Sequence, residues 1–185
     1  MTWRIPLPEP GEISPDVAQL VALTAPPGRE PARTMAMLAR QPDLFAPFLG
    51  WAAALALNGV LPHRDHELLA LRTAWRCGSE FEWVEHVELA RGAGITDDEI
   101  AGLGRAVDDA GWAPHEAGLV RAADELCHAH TVTDDTWDVL AARYDAPALV
   151  EIPLVVGQYA MLSMMGNALG IPGQPTDNPL PRREV

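Results

Sequence analysis

Between positions 14 and 170 the apolar residues recur at spacings of three and four. That is the period of a helix packed along one face. Runs that alternate apolar and polar residues between turn signals, as half-buried strands do, are missing. Caps and breakers divide the pattern. Ser14 followed by Pro15 reads as an N-cap with proline at the first helical position, opening a helix that runs to about Thr24 and is broken by Pro26-Pro27-Gly28. Helices are predicted next over 31–40 and 42–57, the latter stopped by Asn58-Gly59. A helix over 62–77 follows, and Gly78 separates it from one over 79–92. Thr96-Asp97-Asp98-Glu99 is a capping box that opens a short helix. Helices over 114–130 and 133–144 come next. The apolar-rich run 146–169 reads as a buried helix, or two divided near Pro153, closed by Gly170.

This pattern predicts an all-α protein. Residues 1–13 form a proline-rich arm, residues 14–170 a single all-helical domain, and residues 171–185 an irregular tail. Thr-Asp-Asp at 96–98 recurs at 133–135. Each copy follows a longer helix carrying Cys and His, which makes an internal two-fold repeat a candidate; Thr-Asp-Asp is also simply a good helix start.

Composition narrows the partners. The net charge of -13 disfavours nucleic acid and anionic membrane surfaces, because phosphate binding needs clustered Lys and Arg. Cys77 and Cys127 have no metal-type spacing, and two separated cysteines fit a reducing compartment. The first residues lack the apolar run of a signal peptide, and Glu151, Pro153, Gln158 and Asn167 interrupt the longest apolar stretch. The expectation is a cytoplasmic protein with no membrane span.

Helical wheels at about 100° per residue single out two segments. On 62–77, Asp65, Arg72 and Arg76 gather on one side, read as the outer face. Glu67 falls opposite, flanked by Ala70, Leu71 and Ala74. A carboxylate on an apolar face is costly unless paired or protonated, and burial suits it to general acid-base work. On 79–92, Glu80, Glu88 and Arg91 point outward. His86 shares the other side with Trp83, Leu89 and Ala90, and Ser79, Glu82 and His86 form a polar line on it. Glu82 and His86 are four apart and within reach of one another. If the two helices pack as a pair, Glu67 approaches His86 and the two make a proton relay. Plainer readings stand beside this one. Ser79 to Glu82 is itself a capping box, His86 suits a hydrogen-bonded core residue, and Glu67 suits a structural ion pair.

The stretch from Glu67 through Cys77-Gly-Ser79-Glu-Phe-Glu82-Trp83 to His86, followed by Ala90-Arg-Gly-Ala-Gly-Ile-Thr-Asp-Asp-Glu-Ile100, resembles the core motif of the carboxymuconolactone decarboxylase and alkyl hydroperoxidase D superfamily. The resemblance extends over roughly residues 30–172. In the peroxidase branch a Glu precedes a CxxC, with a His four residues after the second Cys. Glu67 and His86 match the Glu and His, but Ser79 and Glu82 stand at the two Cys positions. Cys77 lies two residues too early, about 160° round the helix from Ser79, so the family's thiol route to peroxide reduction is closed. The remaining resemblance is to the decarboxylase-like branch. It implies an all-helical fold, no metal or organic cofactor, and assembly as a trimer or hexamer. It also implies action on a small carboxylated lactone or related enolisable acid.

On this reading His86 moves a proton to or from carbon and Glu67 orients it. Glu82 is a second acid or base, and Ser79 and Trp83 line the substrate pocket. Arg72 is a candidate carboxylate clamp despite its place on the outer face. An isomerase, dehydratase or lactone hydrolase using the same residues is an alternative, as is a non-catalytic oligomeric binding protein. A metal site built on Glu82 and His86, with His63 and His66 or His128 and His130, is a weaker rival. The bland account of those histidines is an exposed first turn for 63 and 66 and a fraying helix end for 128 and 130.

Overall fold

Side-chain caps decide where several helices begin. Ser14 accepts from the backbone N–H of Val17, and Pro15 opens α1 (Pro15–Leu23). Thr96 and Glu99 close a reciprocal box at the start of α6 (Asp97–Gly102). Thr133 caps α8 (Asp134–Ala141) by accepting from the Thr136 N–H, without the reciprocal half of a box. The computed structural model describes residues 3–9, 11–25, 30–109, 111–173 and 176–182, so the Pro26-Pro27-Gly28 break lies outside the described residues. The other helices are α2 (Arg33–Leu38), α3 (Pro42–Asn58), α4 (His63–Cys77), α5 (Glu80–Gly92), α7 (Pro114–Ala129) and α9 (Ala146–Leu169). A 3-10 turn at Val107–Asp109 was not predicted. No strand occurs among the described residues. α2 and α8 are shorter than their sequence patterns suggested.

The chain divides into two compact units. The first holds α1 to α3 and residues 169–171. Its core is Val21, Ala39 and Phe45, with Val17, Leu20 and Leu49 packed around them. The N-terminal arm is tied down here. Arg40 donates to the Pro6 carbonyl at 3.0 Å and pairs with Glu12 at 3.0 Å.

The second unit holds residues 60–168 and 172–185. Its central element is α4, which Gly78 ends in the left-handed conformation at φ 62°. Every residue of α4 from Asp65 to Trp75 is buried. The wheel therefore misplaced Asp65 and Arg72: their side of the helix is covered, not solvated. Buried charge needs partners, and each has one. The Arg72 guanidinium forks onto Asp124 of α7 at 2.6 and 2.7 Å and donates to the carbonyls of Leu103 and Arg105. The Tyr144 hydroxyl donates to Asp65 at 2.8 Å.

α9 is one continuous helix of 24 residues. Pro153 removes one backbone hydrogen bond near its start without dividing it. Its length and composition would allow a membrane crossing, yet half of its most apolar window is buried within the protein. Glu151, at the interruption seen in the sequence, accepts the Val60 N–H at 2.6 Å.

Candidate active site

The short Cys77-Gly78-Ser79 link lets α5 return beside α4 and brings two buried ionisable groups together. His86 Nδ1 lies 2.7 Å from Glu67 Oε2. On the other side of the ring, Nε2 is 3.6 Å from Glu82 Oε2. The second oxygen of Glu67 lies 3.5 Å from Nε2 of His63, whose side chain is 58% exposed and forms the solvent end of the cluster. The Tyr159 ring meets the His86 ring edge-on, with centroids 4.4 Å apart, and its hydroxyl shares a 2.8 Å hydrogen bond with His66 Nε2.

The charges follow from this geometry. Burial opposes ionisation of both Glu67 and His86. Their mutual attraction and hydrogen bond outweigh it, so Glu67 is held below the ordinary carboxylate range and His86 above the ordinary imidazole range. Each group thus favours the charged form of the other. Glu82 differs. Burial pushes its carboxyl up to about 7, against a smaller pull from His86. Burial also lowers His66 and raises Tyr159, keeping both neutral.

Ser79 sits at the N-cap of α5, but its side chain makes no capping bond. Its hydroxyl is buried without a hydrogen-bond partner among the described residues. The capping-box account of Ser79 and Glu82 therefore does not describe this helix start. Trp83 was expected to wall a substrate pocket. Its ring has no accessible surface and its indole N–H donates to the Asn178 carbonyl at 3.2 Å, so it packs the C-terminal segment. Arg72 is the clearer correction. With its fork on Asp124 and Nη1 on two carbonyls, the guanidinium is committed inside the protein, and its side chain is only 3% exposed. Leu89 is 47% exposed and leaves the His86 face.

His66, which the sequence offered as a weak metal candidate or part of an exposed first turn, is buried, and Tyr159 was not singled out. The signal for Tyr159 was faint: it shares the buried face of α9 with Val155, Val156, Leu162 and Ser163. Its partner stands 93 positions away. His128 and His130 are exposed, and His130 takes the left-handed conformation that ends α7.

The helical fold is alkyl hydroperoxidase D-like. Residues 42–125 match the model of the Carboxymuconolactone decarboxylase family. Solved structures agree in fold. The alkylhydroperoxidase AhpD core of an uncharacterized peroxidase-related protein from Ralstonia eutropha JMP134 superposes with a TM-score of 0.78 at 20% identity, covering 95% of this chain and 93% of that one. An uncharacterized peroxidase-related protein from Silicibacter sp. TM1040 gives 0.77 at 13% identity, covering 95% and 92%. The debrominase Bmp8, solved in complex with 2,3,4-tribromopyrrole, gives 0.71 at 15% identity, covering 96% and 94%. No curated protein matches the chain significantly.

Proposed function

We propose that this chain is a cofactor-independent, decarboxylase-like lyase acting on a small carboxylated lactone or related enolisable acid. The superfamily contains enzymes, and one structural neighbour is a debrominase. The observation that carries the narrower reading is the Glu67–His86–Glu82 line. One imidazole stands between a carboxylate at 2.7 Å and a carboxyl group at 3.6 Å that titrates near neutral pH.

Glu67 occupies Nδ1 and fixes the ring, so Nε2 is the nitrogen left to exchange a proton with substrate. Loss of carbon dioxide from the substrate carboxylate leaves its electron pair delocalised as an enolate. His86 or protonated Glu82 then delivers a proton to carbon. Glu82 suits this step because a group that titrates near the working pH can both give and recover the proton. The free hydroxyl of Ser79 supplies a donor at the N-terminal end of α5, where developing negative charge is favoured.

The test is incubation of the purified chain with carboxymuconolactone in heavy water. Release of carbon dioxide with deuterium placed at the adjacent carbon is the expected result, and it is lost in His86→Ala. Ring opening or isomerisation without carbon dioxide would replace the lyase reading with a hydrolase or isomerase using the same residues.

A further inference from the structure

α4 and α7 run side by side in the same direction, and ion pairs fix their register. Arg64 on α4 meets Glu116 on α7 at 2.8 Å, and Arg72 meets Asp124 at 2.6 Å, both offset by 52 positions. The same register brings the last turn of α4 beside the last turn of α7. Each of those turns carries a cysteine. The Cys77 and Cys127 side chains face the same cavity, and Cys77 is the neighbour that most raises the Cys127 thiol. Both side chains are half-buried, and both line an apolar cavity of about 410 Å³ with Leu126, Pro153, Met161 and Met164. Neither Glu67 nor His86 is among its walls. The superfamily's thiol positions, occupied here by Ser79 and Glu82, are not involved.

The geometry points to a redox-active dithiol: Cys77 and Cys127 form a reversible intrachain disulfide by exchange with a low-molecular-weight disulfide. The thiolate of Cys77 attacks one sulfur of RSSR. The S–S bond breaks, and RS⁻ leaves and takes up a proton. Cys127 then loses its proton and attacks the Cys77 sulfur, expelling the second RS⁻. Two protein thiols are oxidised and one RSSR becomes two RSH. The order follows from the contact. The Cys77 side chain beside it and desolvation push the Cys127 thiol above the usual range, so Cys77 attacks first. The new bond would staple the end of α4 immediately before Gly78 and Ser79, the joint from which Glu82 and His86 depart.

The inference does not depend on the acid-base reading, and its test needs no substrate. The full chain is equilibrated in glutathione redox buffers of increasing oxidised fraction, quenched with acid, alkylated and weighed intact. The expected result is a two-state change from doubly alkylated chain to a monomer lighter by two hydrogens that takes no alkyl group. Half-oxidation should need roughly tenfold less oxidised glutathione in the native chain than in urea, where the fold no longer holds the thiols together. Cys127→Ser should accumulate a single glutathione adduct on Cys77. Two alkyl groups at every ratio, two glutathione adducts, a disulfide-linked dimer, or equal behaviour of native and unfolded chain would each overturn the proposal.

Discussion

His86 Nδ1 and Glu67 Oε2 lie 2.7 Å apart, and both side chains are buried. The short link at Gly78 makes the contact, because it lets α5 fold back along α4. The pair is stable as an ion pair over a window. Glu67 is lowered, so its share of stability is present above the ordinary carboxylate range and is lost as pH falls through its depressed value. His86 is raised, so its share is present in acid and is lost as pH rises through its elevated value.

Removing one partner should expose this dependence. In Glu67→Gln the amide cannot supply the countercharge, so His86 should titrate at lower pH, followed by NMR of its ring nitrogens. His86→Ala should leave Glu67 buried without its main partner and cost about 1–3 kcal/mol in denaturant unfolding at neutral pH. Unchanged titration of His86 in the Gln variant would separate the two residues and remove the relay.

Arg72 should matter for stability and not for turnover. Its guanidinium is buried and forked onto Asp124. Arg72→Lys keeps the charge but offers no fork, so it should not rescue the fold. A loss of about 3 kcal/mol in unfolding experiments is expected for Arg72→Ala. A variant that folds normally but binds substrate poorly would restore the clamp that the sequence suggested.

The exposed face of α9 predicts self-association. Val150, Leu154, Met161 and Met164 are 41–64% exposed along one side of the helix. Such an apolar stripe is unusual on a surface that faces only water. We expect a trimer or hexamer by light scattering at micromolar concentration, converted to smaller species by Met164→Asp. A wild-type monomer would refute this.

What the sequence made legible was local. The caps at Ser14, Thr96 and Thr133 and the stops at Gly78 and Gly170 need only nearby residues, and they could be read directly. Glu67 and His86 could be read because each breaks an apolar stripe. Arg72 was misread because a wheel cannot show that α7 will cover the charged side of α4. The His66–Tyr159 and Cys77–Cys127 contacts join elements far apart in the chain, and no spacing rule encodes them. α9 continued through Pro153 because tertiary burial outweighed one lost hydrogen bond.

Glu82 stands one helical turn before His86 on α5. Its carboxyl is buried and pushed up to about 7 from an ordinary value of 4.5. A raised acid favours the native state when protonated. Its contribution is fully present below about 4.5 and is lost as pH rises through about 7. Above that pH the native state must hold a buried carboxylate beside Glu67, with one imidazolium between them. The strain corresponds to a few kcal/mol at most, on the order of 3. Glu82→Gln mimics the protonated form in shape and hydrogen-bonding capacity. It should therefore match the wild type near pH 5 and exceed it by about 1–3 kcal/mol near pH 8, measured by denaturant unfolding. The same variant should lose the neutral-pH limb of any pH–rate profile, since the amide cannot exchange the proton. Equal stability of the two proteins at both pH values would mean that Glu82 ionises at its ordinary pH. The second acid-base group of the site would then have to be sought elsewhere.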